Sequence, residues 1–205
     1  MTASISKLLN DIEFGNVFDA FEAAKAISNN TLSQIDIDVL ARVAFHGNDL
    51  HNQEAATYAL SWIENSKSSL GVLITLLATS DIHESVRGQA AEGIGIIRPS
   101  KKNLHRKLAE TTLIKSLSDT SPVVRFWSCY AVGQMKIKKS LPILQEMKAN
   151  DHEICPHWWY VSEEAEDAIE WINGREGKDR VPLINRKSTE QSCVGDGEDH
   201  AAPNT

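Results

Sequence analysis

Apolar residues recur along most of the chain at the spacing of one helical face. In 86–97, Val86 is followed by Ala90 four places later and by Ile94 eight places later. Apolar residues at steps of four and eight form one stripe of an α-helix, and a small residue within the stripe lets a neighbouring helix approach closely. No segment alternates with a period of two, so the pattern predicts helices and no β-sheet.

The same arrangement returns at regular intervals. When positions are counted from the first residue of a copy, a small residue stands at +4 and an aliphatic residue at +8, and the copies begin at residues 19, 52, 86, 124 and 161. Consecutive copies are therefore 33 to 38 residues apart. Periods of this length are typical of helical-repeat proteins.

A second amphipathic segment lies between consecutive copies. These segments are 32–45, 70–78, 104–117 and 141–147. Each repeat is therefore predicted to be a hairpin of two helices, and the hairpins must stack because one hairpin cannot bury its own apolar face. We predict an all-α fold, an α-α superhelix or solenoid of about five helical hairpins, over residues 1–173.

Residues 174–205 differ from the repeats in composition. They hold few large apolar residues and no helical stripe, which is typical of disordered segments. We therefore predict a disordered C-terminal tail over 174–205. The short apolar run 181–185 within it is either a chance cluster or a docking motif, and the sequence leaves both open.

Two of the copies share a more specific motif. It reads Asp81, Val86-Arg87, Ala90-Ala91, Ile94-Gly95 in one copy and Asp119, Val124-Arg125, Ser128-Cys129, Val132-Gly133 in the next. This pattern resembles the HEAT repeat family, particularly the short bacterial HEAT-like repeats also found in phycobilisome lyases. The resemblance is good over 80–173 and weak before residue 50. It implies a HEAT-like solenoid but says little about function, because scaffolds, adaptors and a few enzymes share this fold.

The resemblance implies a structural role for the repeated arginines. In the family, this arginine pairs with the aspartate of the turn and with its neighbours along the stack, which here implies a ladder of Asp81, Arg87, Asp119 and Arg125. A ligand-binding arginine is the alternative. Because exposed ion pairs contribute about 0–1 kcal/mol each, such a ladder would hold the register of the stack more than it stabilises it.

The resemblance also implies that the later helix of each hairpin lines a concave face, which usually takes the partner. Positions +2 and +6 of these helices are predicted to point away from the core, and exposed aromatic rings among carboxylates suit a protein interface. The alternative is that the curvature of the solenoid buries the rings. The predicted partner-binding residues of this face are Tyr58, Glu92, Phe126, Tyr130, Glu163 and Asp167.

The segment 150–161 interrupts the regular repeat. Its turn aspartate, Asp151, stands ten residues before Val161, against five or six elsewhere. His157, Trp158 and Trp159 are candidates for a recognition loop, because irregular loops on a rigid scaffold often bind partners. Alternatively, the two tryptophans cap the open end of the last repeat. His and Cys side chains here are zinc-ligand types, but they lack the spacing of a zinc site, so no metal site is predicted.

Composition narrows the choice of partner and compartment. With 28 acidic and 21 basic residues the net charge is −7, which gives no support to a nucleic-acid binder and slightly favours a basic protein partner. No stretch approaches the roughly 20 apolar residues of a membrane span. The three cysteines are widely spaced and the N-terminus lacks the pattern of a secretory signal, so we expect a cytoplasmic protein.

The sequence holds no motif of catalysis such as GxSxG, a P-loop, GxGxxG or HExxH. His83-Glu84 is out of register with the His-Glu pairs of HEAT-type hydroxylases. We therefore predict a non-enzymatic protein-binding module without a cofactor, either an adaptor or an immunity protein that neutralises a toxin or another enzyme. The alternatives are a bilin lyase-like chaperone and a metal-dependent HEAT-type enzyme.

Overall fold

The computed structural model describes residues 4–63 and 67–190. The helices of this part are α1 (Ile5–Phe14), α2 (Val17–Ile27), α3 (Gln34–His46), α4 (Leu50–Trp62), α5 (Lys67–Ala78), α6 (Glu84–Ile97), α7 (Arg106–Ser116), α8 (Pro122–Gln134), α9 (Leu141–Asn150), α10 (Val161–Ile172) and α11 (Leu183–Glu190). Over these residues, β pairing is limited to one bridge between Ile154 and Tyr160. The predicted all-α fold is confirmed.

The first ten helices form five consecutive hairpins, as the repeat predicts. Each odd-numbered helix packs on the even-numbered helix that follows it, and each even-numbered helix also packs on the even-numbered helices before and after it. All five copies of the sequence repeat fall on even-numbered helices. We call α2, α4, α6, α8 and α10 the second helices and their partners the first helices.

The second helices approach one another very closely because small residues lie where they cross. A Cβ atom added to Gly95 of α6 would lie 2.9 Å from the Cα of Ala131 in α8. A Cβ atom added to Gly133 of α8 would lie 2.9 Å from the Cα of Ala168 in α10. The second helices therefore form the more tightly packed layer of the stack, and their position on a concave side stays a prediction.

The helix starts follow from local sequence. Asn16 caps α2 by accepting a hydrogen bond from the backbone N–H of Asp19 at 3.0 Å, and Ser33 and Asp36 form a capping box at the start of α3. Most apolar side chains are used in packing between helices. No helix in the described ranges is long and apolar enough to cross a membrane.

Residues 174–186 fold back along α10. The backbone N–H of Lys178 donates to Asp167 at 2.9 Å, and that of Leu183 donates to the carbonyl of Trp158 at 3.0 Å. Over this range the structure differs from the predicted disordered tail, because basic side chains of the segment form ion pairs with carboxylates on α10. We call residues 175–186 the C-terminal segment. Residues 191–205, the rest of the predicted tail, lie outside the described residues.

Candidate partner-binding surface

The middle second helices expose one narrow stripe to solvent. On α6 and α8, the first helix of the same hairpin and the two neighbouring second helices cover the other sides, which leaves positions +3, +6 and +10. These positions are half-buried on α6 and α8, where they are Gln89, Glu92, Ile96, Trp127, Tyr130 and Gln134. We call this stripe, continued by Tyr58 and Trp62 on α4 and by Trp171 on α10, the second-helix surface.

Phe126 is not part of this surface, and the prediction that it is exposed is wrong. Its side chain is 1% exposed and lies with its ring centroid 6.2 Å from Trp158 and 5.7 Å from Trp159. Position +2 of a second helix faces the following hairpin, and in this repeat the tryptophans before α10 cover it. Phe126 is therefore a core residue that supports the surface from below.

Six rings form one contiguous aromatic cluster across α8, the segment before α10, and α10. Trp127 contacts Tyr130 and Trp158 with ring centroids 5.8 Å and 5.3 Å away, and Tyr130 contacts Trp171 at 5.9 Å. These pairs are close to edge-to-face, which aromatic rings favour. The aromatic cluster comprises Phe126, Trp127, Tyr130, Trp158, Trp159 and Trp171.

The outer members of the aromatic cluster remain open to solvent. Trp158 is 38% exposed, and Trp127, Tyr130 and Trp171 are half-buried. Trp127 and Trp171 were not among the residues expected from the sequence. Their positions, +3 and +10, share a helical stripe with +6, and that spacing is the pattern that could have identified them.

A smaller aromatic group lies on the other side of the second-helix surface. Tyr58 of α4 is half-buried and contacts Phe21 of α2 and Trp62, with ring centroids 6.5 Å and 6.1 Å away. Trp62 is 48% exposed. The helix between the two aromatic groups is α6, and its outward stripe carries a carboxylate.

That carboxylate is Glu92. It is half-buried, and burial raises its pKa from 4.5 to about 7. Among the described residues it has neither a hydrogen bond nor an ion pair. Burial raises the pKa of the Tyr130 hydroxyl, and the charge of Glu92 raises it further, so the two groups interact.

Glu163 and Asp167 do not face a partner as the sequence predicted. Asp167 is 2% exposed and accepts hydrogen bonds from the guanidinium of Arg180. Glu163 accepts from Arg180 at 3.1 Å and from Arg186 at 2.9 Å. The prediction that these carboxylates point outward is wrong because the C-terminal segment covers them and neutralises their charge.

The segment 150–161 places its tryptophans between the fourth and fifth hairpins. Trp159 is half-buried, and its Nε1–H donates to the carboxyl of Glu164 at 3.0 Å, while His157 is exposed with a left-handed φ of 69°. Trp158 lies on Trp127. The rings therefore lie against α8 of the fourth hairpin, with Trp158 still 38% exposed, rather than over the open end of the stack.

The repeated motif arginines form ion pairs between successive hairpins. Arg87 donates to Asp119 of the next hairpin, with one N–O distance of 3.2 Å, and Arg125 donates to Asp151 of the next at 2.7 Å. Asp81 is exposed, and its hydrogen-bond donor among the described residues is the neighbouring Ser80 hydroxyl. The ladder thus joins each arginine to the turn aspartate of the following hairpin.

In the part of the chain that the structure describes, no three His, Cys, Asp or Glu side chains are grouped as metal ligands. Cys129 and Cys155 are both buried. Burial raises the pKa of both thiols, that of Cys155 to about 12, so both stay protonated at neutral pH.

Stacked hairpins with motif arginines between them define an α-solenoid. Residues 72–169 match the family model of HEAT repeats, which confirms the resemblance over this part of the chain. A search of curated proteins gives no significant match.

Solved structures with a similar fold include designed armadillo repeat proteins and an engineered protein. One is a computationally designed armadillo repeat protein for modular peptide recognition, with 21% identity, a TM-score of 0.50, and 82% of each chain covered. Another is a designed armadillo repeat protein in complex with the peptide (KR)4, with 22% identity, a TM-score of 0.53, and 82% of each chain covered. An engineered protein has 18% identity and a TM-score of 0.52, with 82% of this chain and 78% of that chain covered.

Proposed function

We propose that the protein is a non-enzymatic protein-binding module that takes a segment of a partner protein on the second-helix surface. The aromatic cluster is the observation that supports this most directly. It leaves Trp127, Tyr130 and Trp158 partly open on a rigid support, with Glu92 beside them. Aromatic side chains anchor interfaces because they bury a large area at a small cost in conformational entropy.

An extended segment suits this surface better than a globular face. The exposed stripe is narrow and crosses successive helices, so one chain running over them would contact Tyr58, Glu92 and Tyr130 in turn. The designed armadillo repeat protein bound to (KR)4 provides an example of a peptide held by a solenoid of similar fold. This likeness supports an extended peptide segment as the ligand in the proposal.

The proposal covers two kinds of protein, an adaptor and an immunity protein that neutralises a toxin or another enzyme in the cytoplasm. The net charge of −7 would steer a basic partner toward the chain in either case. The two are distinguished by the effect of the complex, because an immunity protein abolishes the activity of its partner whereas an adaptor leaves it intact.

Affinity capture with surface variants tests the proposal. Trp127→Ala and Tyr130→Ala should each weaken binding of the native partner by about 2 kcal/mol, because each removes a ring from the centre of the surface. Phe18→Ala is the matched control, since Phe18 is 73% exposed on α2 in the first hairpin. A partner that binds both surface variants as tightly as the wild type would exclude this surface as the binding site.

A further inference from the structure

The second helices place one residue of each repeat in a common row. Position +6 is Tyr58 on α4, Glu92 on α6, Tyr130 on α8 and Asp167 on α10. Because these helices pack side by side, the four positions follow one another from α4 to α10, and the first three lie on the second-helix surface. Two carboxyl groups thus alternate with two tyrosines.

The carboxylate at the end of the row already holds a cation from its own chain. Arg180 donates to Asp167, to Glu166 at 2.8 Å and to Glu163 at 3.1 Å, and its side chain is only 7% exposed. Charge-assisted hydrogen bonds of this kind between a guanidinium and carboxylates are among the stronger ones in proteins. The row therefore contains one complete arginine site.

The other carboxylate of the row has no such cation among the described residues. Glu92 is half-buried with neither a hydrogen bond nor an ion pair there. A partly desolvated carboxylate without a partner carries an energetic cost, which a cation bound beside it would remove. Arg98 is exposed at the end of α6, and its charge lowers the pKa of the Tyr130 hydroxyl. Among the described residues it forms no ion pair with Glu92.

The neighbours of Glu92 are those that a cationic side chain prefers. A Cβ atom added to Gly95, one turn after Glu92, would lie 3.0 Å from a ring carbon of Tyr130, so this ring rests on α6 next to the carboxylate. Tyr58 occupies the same position on the helix at the other side. Aromatic faces attract ammonium and guanidinium groups, and the guanidinium also pairs with a carboxylate through two N–H groups.

We infer that Glu92, between Tyr58 and Tyr130, binds a lysine or arginine side chain of a basic partner segment, as Asp167 binds Arg180. The inference rests on the proposed function and specifies its ligand. The occupant is an extended protein segment with a basic residue above α6, and the net charge of −7 complements it. The C-terminal segment, which carries Arg180 to the same row, demonstrates within one molecule how such a segment is held.

A synthetic peptide tests this inference on the full chain. The probe is the fluorescently labelled peptide (KR)4, titrated by anisotropy, with a glutamine octapeptide as the uncharged comparison. Glu92→Gln should weaken binding by a factor of about ten, because the charge-assisted contact is lost while the shape of the side chain is kept. Glu146→Gln is the matched control, since Glu146 is exposed on α9 in the layer of first helices.

The outcomes separate this inference from the proposed function. Equal weakening in Glu92→Gln and Glu146→Gln indicates diffuse attraction and overturns the inference, as does absence of binding by the wild type. If Trp127→Ala weakens binding of the native partner but Glu92→Gln does not, the surface stands and the cation site fails. As a direct readout, the carboxyl pKa of Glu92, followed by NMR of ¹³C-labelled protein, should fall when the peptide is added; an unchanged pKa would contradict the inference.

Discussion

Glu164 is a residue whose protonation is linked to folding. It is 2% exposed on α10 and accepts a hydrogen bond from Trp159, while burial raises its pKa from 4.5 to about 8. The folded chain therefore holds a proton on this carboxyl that the unfolded chain releases at a lower pH. Its contribution to stability is fully present below about pH 4.5 and is lost as the pH rises through about 8.

Glu164→Gln should make the free energy of unfolding less dependent on pH. Between the unfolded and folded pKa values, the wild type loses up to about 1.4 kcal/mol of stability per pH unit through this group, whereas Gln keeps the acceptor for Trp159 without titrating. Urea unfolding at about pH 5 and about pH 9 measures the difference. Glu146→Gln, at an exposed position, is the control, and parallel pH profiles for Glu164→Gln and wild type would contradict the assignment.

The burial of an ion pair between hairpins should determine how much it contributes to the free energy of unfolding. Arg87, whose side chain is 10% exposed, pairs with Asp119, whereas Arg42, 54% exposed, pairs with Glu13. Arg87→Ala should lower the free energy of unfolding by about 2 kcal/mol because it removes a largely buried guanidinium that also donates to the Ile82 carbonyl at 3.1 Å, and Arg42→Ala by less than about 1 kcal/mol. Denaturant titration compares the two variants; equal losses would show that burial does not decide the effect.

At the scale of the helices, the glycines of the second helices should be intolerant of even one extra carbon. A Cβ atom at Gly133 would lie 2.6 Å from the ring of Trp171 and 2.9 Å from the Cα of Ala168. Gly133→Ala should therefore force α8 and α10 apart and lower the free energy of unfolding by about 1–3 kcal/mol.

Gly71 provides the opposite case on a first helix. The nearest atom to an added Cβ there is in His105, 4.0 Å away, so Gly71→Ala should raise stability by up to about 1 kcal/mol through better helix propensity. Thermal unfolding of both glycine variants measures the contrast. The same sign of change in both would refute the difference in packing between the two layers.

The helices and their pairing were predictable because they depend on local periodicity. Positions +4 and +8 identify a stripe, and Ala90, Ser128 and Ala165 at +4 are indeed buried. The outward stripe was harder to predict, because it is defined by what neighbouring hairpins leave uncovered. Phe126 at +2 faces the next hairpin, so counting along one helix could not separate it from Trp127 at +3.

At the scale of the whole molecule, the C-terminal segment was not predictable from its own composition. Residues 175–186 lack an apolar stripe, and their order depends on charges that lie on α10. The same contacts explain why Glu163 and Asp167 were wrongly predicted to be open carboxylates: their cations come from residues that the helical pattern does not include. Long-range ion pairing of this kind leaves no periodic trace in the sequence.

Arg180→Ala should release the C-terminal segment. It leaves Asp167, 2% exposed, without its guanidinium, and breaking a buried pair costs about 3 kcal/mol. Hydrogen exchange of residues 175–186 should become fast, and the melting temperature should fall. Arg175→Ala is the control, because Arg175 is 61% exposed in its pair with Glu170. Unchanged exchange in Arg180→Ala would mean that other contacts hold the segment.

Repeat proteins lengthen by duplication of whole hairpins, and the fold-back of residues 175–186 restricts where that can happen here. The segment occupies the flank of α10 on which a sixth hairpin would have to pack. A duplicated unit inserted upstream of Leu141 would keep this arrangement, whereas one added directly after Ile172 would compete with Arg180 for the same carboxylates. Arg180 therefore permits a hairpin to be inserted before Leu141 but hinders the addition of one after Ile172.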